Sequence, residues 1–280
     1  MSWVRSLQRG MRTVILAGQA GSGKDTVGEY IARNYNGVAL GQADPMKRFA
    51  RSVFGFTETQ LWGPSEMRNA RDPRFDDLDL LAMGEMLDHL ELRFGTFAPA
   101  WVKDVLPDLG WVDQRKARKK LLTWFDGICE RIGTFQGISP RLVLQTLGTE
   151  WGRTFSQNMW VDYAIRAAKQ LLAGENFYTR VDGVQSWMNA VPSGLAVITD
   201  GRFRNEIQAV QEAGGVALRI IRPGSGLSAA AESGGVKGHA SERELNEIQD
   251  NEFDGVVLND GTLEQLYGRI DQLVTGWFGR

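Results

Sequence analysis

The chain has one cysteine, Cys129, and two histidines, His89 and His239. A single cysteine makes neither an intrachain disulfide nor a multi-cysteine zinc site. Two histidines leave little material for a His-cluster metal centre or a His-based hydrolase triad. No stretch approaches the roughly 20 apolar residues of a membrane span, and the N-terminus lacks the apolar core of a signal peptide. A reducing cytoplasm is therefore the expected setting, with no membrane partner. Charge of one sign is also missing: 32 basic and 34 acidic residues leave a formal net charge of −2. That balance offers no bulk attraction to nucleic acid, so any bound anion must be held by a local site. Internal repeats and low-complexity tracts are absent as well.

What is present is core material, 42% hydrophobic over 280 residues, enough for one large α/β domain or two modest ones. Residues 12–17 read as a short buried strand that ends abruptly at Gly18. After a glycine-rich turn, Val27, Tyr30 and Ile31 recur at helical spacing up to about Arg33. Further strands are expected at 38–40, 195–199, 216–221 and 256–258, the later ones separated by helical patterns, which argues for a mainly parallel sheet. The helix after Asn205 stops at Gly214–Gly215. A C-terminal helix opens with a Thr262–Gln265 capping box and carries Leu263, Leu266, Tyr267, Ile270, Leu273, Val274 and Trp277 on one face. Residues 75–138 show helical periodicity and no strand. They form a predicted helical insertion, with Trp101, Trp111 and Trp124 as its core anchors and a basic run, 115–120, at its tip. The predicted α/β core is 12–74 with 139–275. Two stretches, 174–193 and 223–238, read as loops, and 223–243 is a lid candidate.

Gly18–Thr26 satisfies Gly-x4-Gly-Lys between a predicted strand and a predicted helix, the context in which such a loop wraps phosphate with successive backbone N–H groups. Gly18, Ala20, Gly21, Ser22, Gly23, Lys24, Asp25 and Thr26 are the candidate ATP-binding residues, with Lys24 reaching the β- and γ-phosphates. The position after Lys24 is Asp25 where Ser or Thr is usual. Thr26 is the first choice for Mg²⁺ and Asp25 the rival. Asp200, at the end of a neighbouring strand, is a second carboxylate able to order Mg²⁺ or orient an acceptor.

Four blocks in order, Gly18–Thr26, Ala43–Lys47, Ser139–Arg153 and Ile198–Glu206, resemble the phage-type deoxynucleoside monophosphate kinase family. A fainter fifth is His239–Glu242 followed by Asn259–Thr262. The resemblance thins over 75–137 and 174–193. It implies a P-loop nucleoside-monophosphate-kinase-like three-layer α/β fold on a five-stranded, mainly parallel sheet, and ATP- and Mg²⁺-dependent phosphorylation of a deoxynucleoside 5′-monophosphate. It also implies the host cytoplasm for a phage-encoded chain. By the same likeness Asp44 and Lys47 begin the acceptor site, and Arg68, Arg141 and Arg153 are candidates for the acceptor phosphate. Gln145, Thr149 and Trp160 are candidates for base or sugar, with Arg202 and Glu206 beside Asp200. Lys24, Asp200 and Arg153 are the expected catalytic set. The alternatives are a P-loop kinase for another small acceptor, and a non-kinase ATP-binding module that contacts nucleic acid through its insertion. Nucleic acid is not the favoured partner, and homodimerisation is open.

Overall fold

Thr13–Ala17 (β1) is buried at every position, as expected for an apolar strand covered on both faces. In the computed structural model, which describes residues 11–19, 21–76, 78–108, 110–178, 187–225 and 240–279, the chain then runs through α1 (Lys24–Asn34) and β2 (Val38–Leu40). A helical stretch follows: α2 (Asp44–Phe54), α3 (Glu58–Trp62), α4 (Ser65–Asn69), α5 (Leu80–Val105), α6 (Trp111–Gly133) and α7 (Pro140–Thr146). It ends in a π-helical turn (Leu147–Trp151) and a 3₁₀ turn (Gly152–Thr154). Then come α8 (Met159–Leu172), the short pair β3 (Phe177–Tyr178) and β4 (Trp187–Met188), β5 (Ala196–Gly201), α9 (Arg204–Glu212) and β6 (Val216–Ile221). The chain closes with α10 (Ala240–Glu247), β7 (Gly255–Leu258) and α11 (Leu263–Phe278).

Two compact units emerge, 1–42 with 161–177 and 188–280, and 43–160 with 178–187. The first holds a five-stranded sheet in the order β2-β5-β1-β6-β7, every neighbouring pair parallel. Val14 and Leu16 of β1 pack with Val27 and Ile31 of α1 and with Leu266, Ile270 and Val274 of α11 in one apolar cluster. The capping box of Thr262 and Gln265 starts α11 as its sequence predicts. Leu263 departs from the expected apolar face: it stands 55% exposed, one turn ahead of the first residue that the cluster covers. The expected stop of α9 is also present, with Gly214 at φ 90 directly after the Ala213 C-cap. The α/β fold with a parallel five-stranded sheet is thus as read from the sequence.

The second unit is helical and built around aromatic rings. Phe49 stacks on Trp101 at 4.3 Å between centroids, and Phe94 on Phe125 at 4.2 Å. Trp101 donates to the Pro45 carbonyl at 2.9 Å, and Trp151 to the Ala117 carbonyl at 3.0 Å, which satisfies each buried indole N–H. Trp124 is buried as well. No strand interrupts 75–138 among the described residues. The basic run lies inside the first half of α6 rather than at a tip, and Arg115, Lys116, Arg118, Lys119 and Lys120 are exposed while Ala117 between them is buried. The 3₁₀ residue Gly152 lies under Trp160, where a methyl would come within 2.8 Å of Cε2.

No helix among the described residues is long and apolar enough to cross a membrane. Most of the lid candidate, residues 226–239, lies outside the described residues, as do 179–186 of the earlier loop.

Candidate functional site

The loop between β1 and α1 begins at Gly18, where a methyl would meet Ser22 Oγ at 2.5 Å and the Ile220 carbonyl at 2.7 Å. Only a residue without Cβ lets the chain turn that tightly between β1 and the end of β6. Gly21 and Gly23 take φ 78 and φ 94, the left-handed region that glycine enters without steric cost. The turn closes through Ser22 N–H donating to the Gln19 carbonyl at 3.1 Å, and α1 then starts with Val27 N–H donating to the Gly23 carbonyl at 3.0 Å. Ala20 lies outside the described residues.

Gly23 is the N-cap of α1 and contributes no side chain, so Lys24 is the first helical residue. The free N–H groups of a helix's first turn face the loop. Lys24 is 11% exposed, with its ammonium 3.5 Å from Asp25, which is 79% exposed; Thr26 is exposed too. The Ser22 hydroxyl is buried and has no hydrogen-bond partner. Left-handed Gly21 and Gly23 lead the chain into the free N–H groups of the first turn of α1, the geometry that receives an anion. The loop therefore fits a phosphate group.

Asp200 occupies the penultimate position of β5, next to β1 in the sheet, at the same C-terminal edge as the loop. Its Oδ1 accepts from Gln42 N–H at 2.9 Å. Gln42, 5% exposed, also donates through Nε2 to the Asp200 carbonyl at 3.3 Å and to Glu206 Oε2 at 3.4 Å. Glu206 is the third residue of α9, and its Oε2 accepts from Arg202 N–H at 2.9 Å and Phe203 N–H at 3.2 Å. That is half of a capping box, the carboxylate reaching back to the helix start. Glu206 is thereby buried beneath the Arg202–Phe203 turn, while the Arg202 side chain is exposed.

In the helical unit Asp44 opens α2 and accepts from Trp62 Nε1 at 3.0 Å. Lys47 lies 3.8 Å from Asp44 and 5.4 Å above the Trp62 ring. Arg68 is half-buried on α4; its Nη2 donates to Ser65 Oγ at 3.3 Å, and its buried Nε has no partner. Arg141 lies in the first turn of α7, and both α2 and α4 pack on α7, so Asp44, Lys47, Arg68 and Arg141 come from neighbouring helices. Gln145 and Thr149 are joined by Thr149 Oγ1 donating to the Gln145 carbonyl at 2.7 Å. Arg153 follows the π-helical turn and is half-buried.

Trp160 corrects a sequence expectation. It is 4% exposed, donates Nε1 to the Gly148 carbonyl at 3.1 Å and packs near Trp101 and Trp151, each 6.2 Å away between centroids. A ring held on these sides is a packing element and offers no free face to a base. Sequence reasoning missed Gln42, Trp62 and Asn259. Gln42 and Trp62 carry no local periodicity or motif, and Asn259 lay in a motif block without a role. Burial, followed by the nearby Glu91 and Asp126, pushes the Cys129 thiol up to about 12, away from the thiolate form.

No group of three or more His, Cys, Asp and Glu gathers among the described residues. A phosphate-bound Mg²⁺ does not require one, since it keeps several waters and takes one or two protein oxygens. Thr26 and Asp25, next to Lys24 in the chain, and Asp200, at the same edge of the sheet, are oxygen donors of the kind that ion takes.

Strand, glycine loop, helix and edge carboxylate, set on a five-stranded parallel sheet, define the class: a P-loop kinase-like α/β protein. No family model matches the chain. It is 24% identical over 259 residues, 91% of its length and 92% of the relative's, to a protein of Acanthamoeba polyphaga mimivirus named, provisionally, a deoxynucleotide monophosphate kinase. It is 24% identical over 270 residues, 93% of its length and 97% of the relative's, to the deoxynucleotide monophosphate kinase of Enterobacteria phage T4. The similarity to these two kinases thus extends over nearly the whole chain.

Proposed function

We propose that this protein transfers the γ-phosphoryl group of ATP to the phosphate of a deoxynucleoside 5′-monophosphate. The observation that carries the donor half is the glycine loop, with left-handed Gly21 and Gly23 and with Lys24 at the first position of α1. Two relatives of similar length and of this name support the acceptor half.

In this reading an acceptor phosphate oxygen bonds to the γ-phosphorus while the bond from that phosphorus to the β,γ-bridging oxygen breaks, and ADP leaves. The acceptor phosphate is already ionised at neutral pH, so no strong general base is needed. The protein's task is alignment and stabilisation of the charge spread over the transferring group. The loop N–H groups hold the β- and γ-phosphates, and the Lys24 ammonium follows the moving charge. Thr26, with Asp25 or Asp200, would hold Mg²⁺, which when bound neutralises charge on the β- and γ-oxygens. Asp200 acts as an ordering group, its carboxylate itself oriented by Gln42. Arg68, Arg141 and Arg153 are the acceptor-phosphate cations, the forked guanidinium suiting paired hydrogen bonds to phosphate oxygens. Asp44 and Lys47 flank that side, Arg202 is a further candidate cation for the acceptor phosphate, and Gln145 and Thr149 remain the candidates for polar contacts to the nucleoside.

The test is incubation with ATP, Mg²⁺ and each of the deoxynucleoside monophosphates, with diphosphate formation resolved by chromatography. Formation of ADP together with a deoxynucleoside diphosphate is the expected result. ATP turnover that is indifferent to every monophosphate would overturn the proposal.

A further inference from the structure

The Ser22–Gly23 peptide lies where the phosphate loop becomes α1. Its carbonyl accepts a 2.9 Å hydrogen bond from Asn259 Nδ2, a residue from the far end of the chain. Asn259 is itself fixed: it follows β7, and its backbone N–H donates to the Ile221 carbonyl at the end of β6 at 2.7 Å. In a trans peptide the C=O and N–H point in opposite directions, and none of the described peptides is cis. A carbonyl drawn toward Asn259 therefore turns the Gly23 N–H away from it. Gly23, at φ 94, has little resistance of its own to a peptide flip. A flip would replace an N–H donor with a carbonyl oxygen facing the anion. Asn259 also closes one side of this glycine, since a methyl on Gly23 would sit 2.5 Å from Nδ2.

We propose that Asn259 is a positioning residue for the triphosphate: its side-chain amide holds the Ser22–Gly23 peptide in the orientation that presents the Gly23 N–H to a phosphate oxygen. This rests on the proposed reading of the loop as a phosphate loop. It explains why a side chain after the last strand of the sheet reaches into a loop after its first.

The experiment uses the full chain and a non-hydrolysable ATP analogue with Mg²⁺, titrated calorimetrically into wild type, Asn259→Ala and Asn259→Asp, with Tm and the acceptor KM measured beside it. Loss of one neutral hydrogen bond predicts analogue affinity about threefold to tenfold weaker for Asn259→Ala. Asn259→Asp keeps the shape but sets a carboxylate oxygen against the Ser22 carbonyl, and should bind more weakly still. The acceptor KM should stay as in wild type for both. If the bond serves stability alone, Tm falls in both variants while the folded protein binds the analogue as wild type does, and the assignment of Asn259 is overturned. A wild-type chain that binds no analogue would instead sink the phosphate-loop reading, and this inference with it.

Discussion

Gly152→Ala tests the packing beneath the π-helical segment, because two opposed effects can be weighed there. Gly152 has φ −60 and ψ −53, an ordinary helical conformation, so alanine meets no backbone penalty. On propensity alone the substitution would stabilise a helical position by about 1 kcal/mol. Against that, the new methyl would overlap Trp160, meeting Cζ2 more closely still than Cε2 at 2.8 Å and Nε1 at 2.9 Å. The ring has little room to yield, since its N–H is bonded to the Gly148 carbonyl and its neighbours are Trp101 and Trp151. Overpacking of this kind costs typically 1–3 kcal/mol, and a contact this short with a fixed ring belongs at the upper end. The net expectation is a loss of about 1–2 kcal/mol, or about 2–8 °C in Tm at roughly 2–4 °C per kcal/mol. Thermal melts followed by tryptophan fluorescence suit the measurement, because Trp62, Trp101, Trp124, Trp151 and Trp160 all lie in the helical unit. The double variant Gly152→Ala/Trp160→Leu should lose less than the sum of the singles, since the smaller side chain relieves the clash. A Gly152→Ala protein as stable as wild type, or more so, would refute the reasoning.

Lys24→Ala should lower kcat by about 100-fold or more, as expected for loss of a donor to the transferring group; a change confined to KM for ATP would remove Lys24 from transition-state stabilisation. Arg153→Ala should raise KM for the monophosphate and leave ATP binding near wild type, and a stable variant with unaltered acceptor KM would shift that role to Arg68, Arg141 and Arg202. Neutralising Arg115, Lys116, Arg118, Lys119 and Lys120 together should keep turnover within about threefold, as for ordinary surface substitutions; collapse of activity in a folded protein would contradict a solvent-facing role. Tyr35 donates to Asp271 Oδ1 at 2.6 Å, and burial first, then this bond, pushes its hydroxyl up to about 12 from 10.0. The stability it contributes is present below pH 10 and lost as pH rises toward 12. The difference between wild type and Tyr35→Phe in chemical denaturation should therefore be constant below pH 10 and shrink above it.

The parts of this fold that were legible in sequence are those whose cause is local. The run Thr13–Ala17, the spacing Gly18 to Lys24, the box Thr262–Gln265 and the stop at Gly214 each depend on residues within one strand or one helical turn, where period and backbone freedom are written in adjacent letters. The network that orients the site is of another kind. Asn259 reaches Ser22, and Gln42 reaches Asp200 and Glu206, across most of the chain. Each is a side chain meeting a backbone group or a distant carboxylate, and neither leaves a periodic trace. Trp160 shows the same limit from the other direction. An indole suits a base and a core equally well by composition, and what decides is a glycine eight positions earlier, at 152, whose missing side chain lets the ring sit against the backbone. Glycine is thus informative here in two different ways. At Gly21 and Gly23 it permits a backbone angle, which sequence can anticipate from a loop motif. At Gly18 and Gly152 it permits a close approach by Ser22 and by Trp160, which becomes visible only when the approaching partner is in place. A loop whose backbone chemistry is local and whose bracing is long-range therefore shows in sequence before its bracing does. Its bracing residues have to be found by asking what each loop carbonyl is bonded to, and the Ser22 carbonyl leads directly to Asn259.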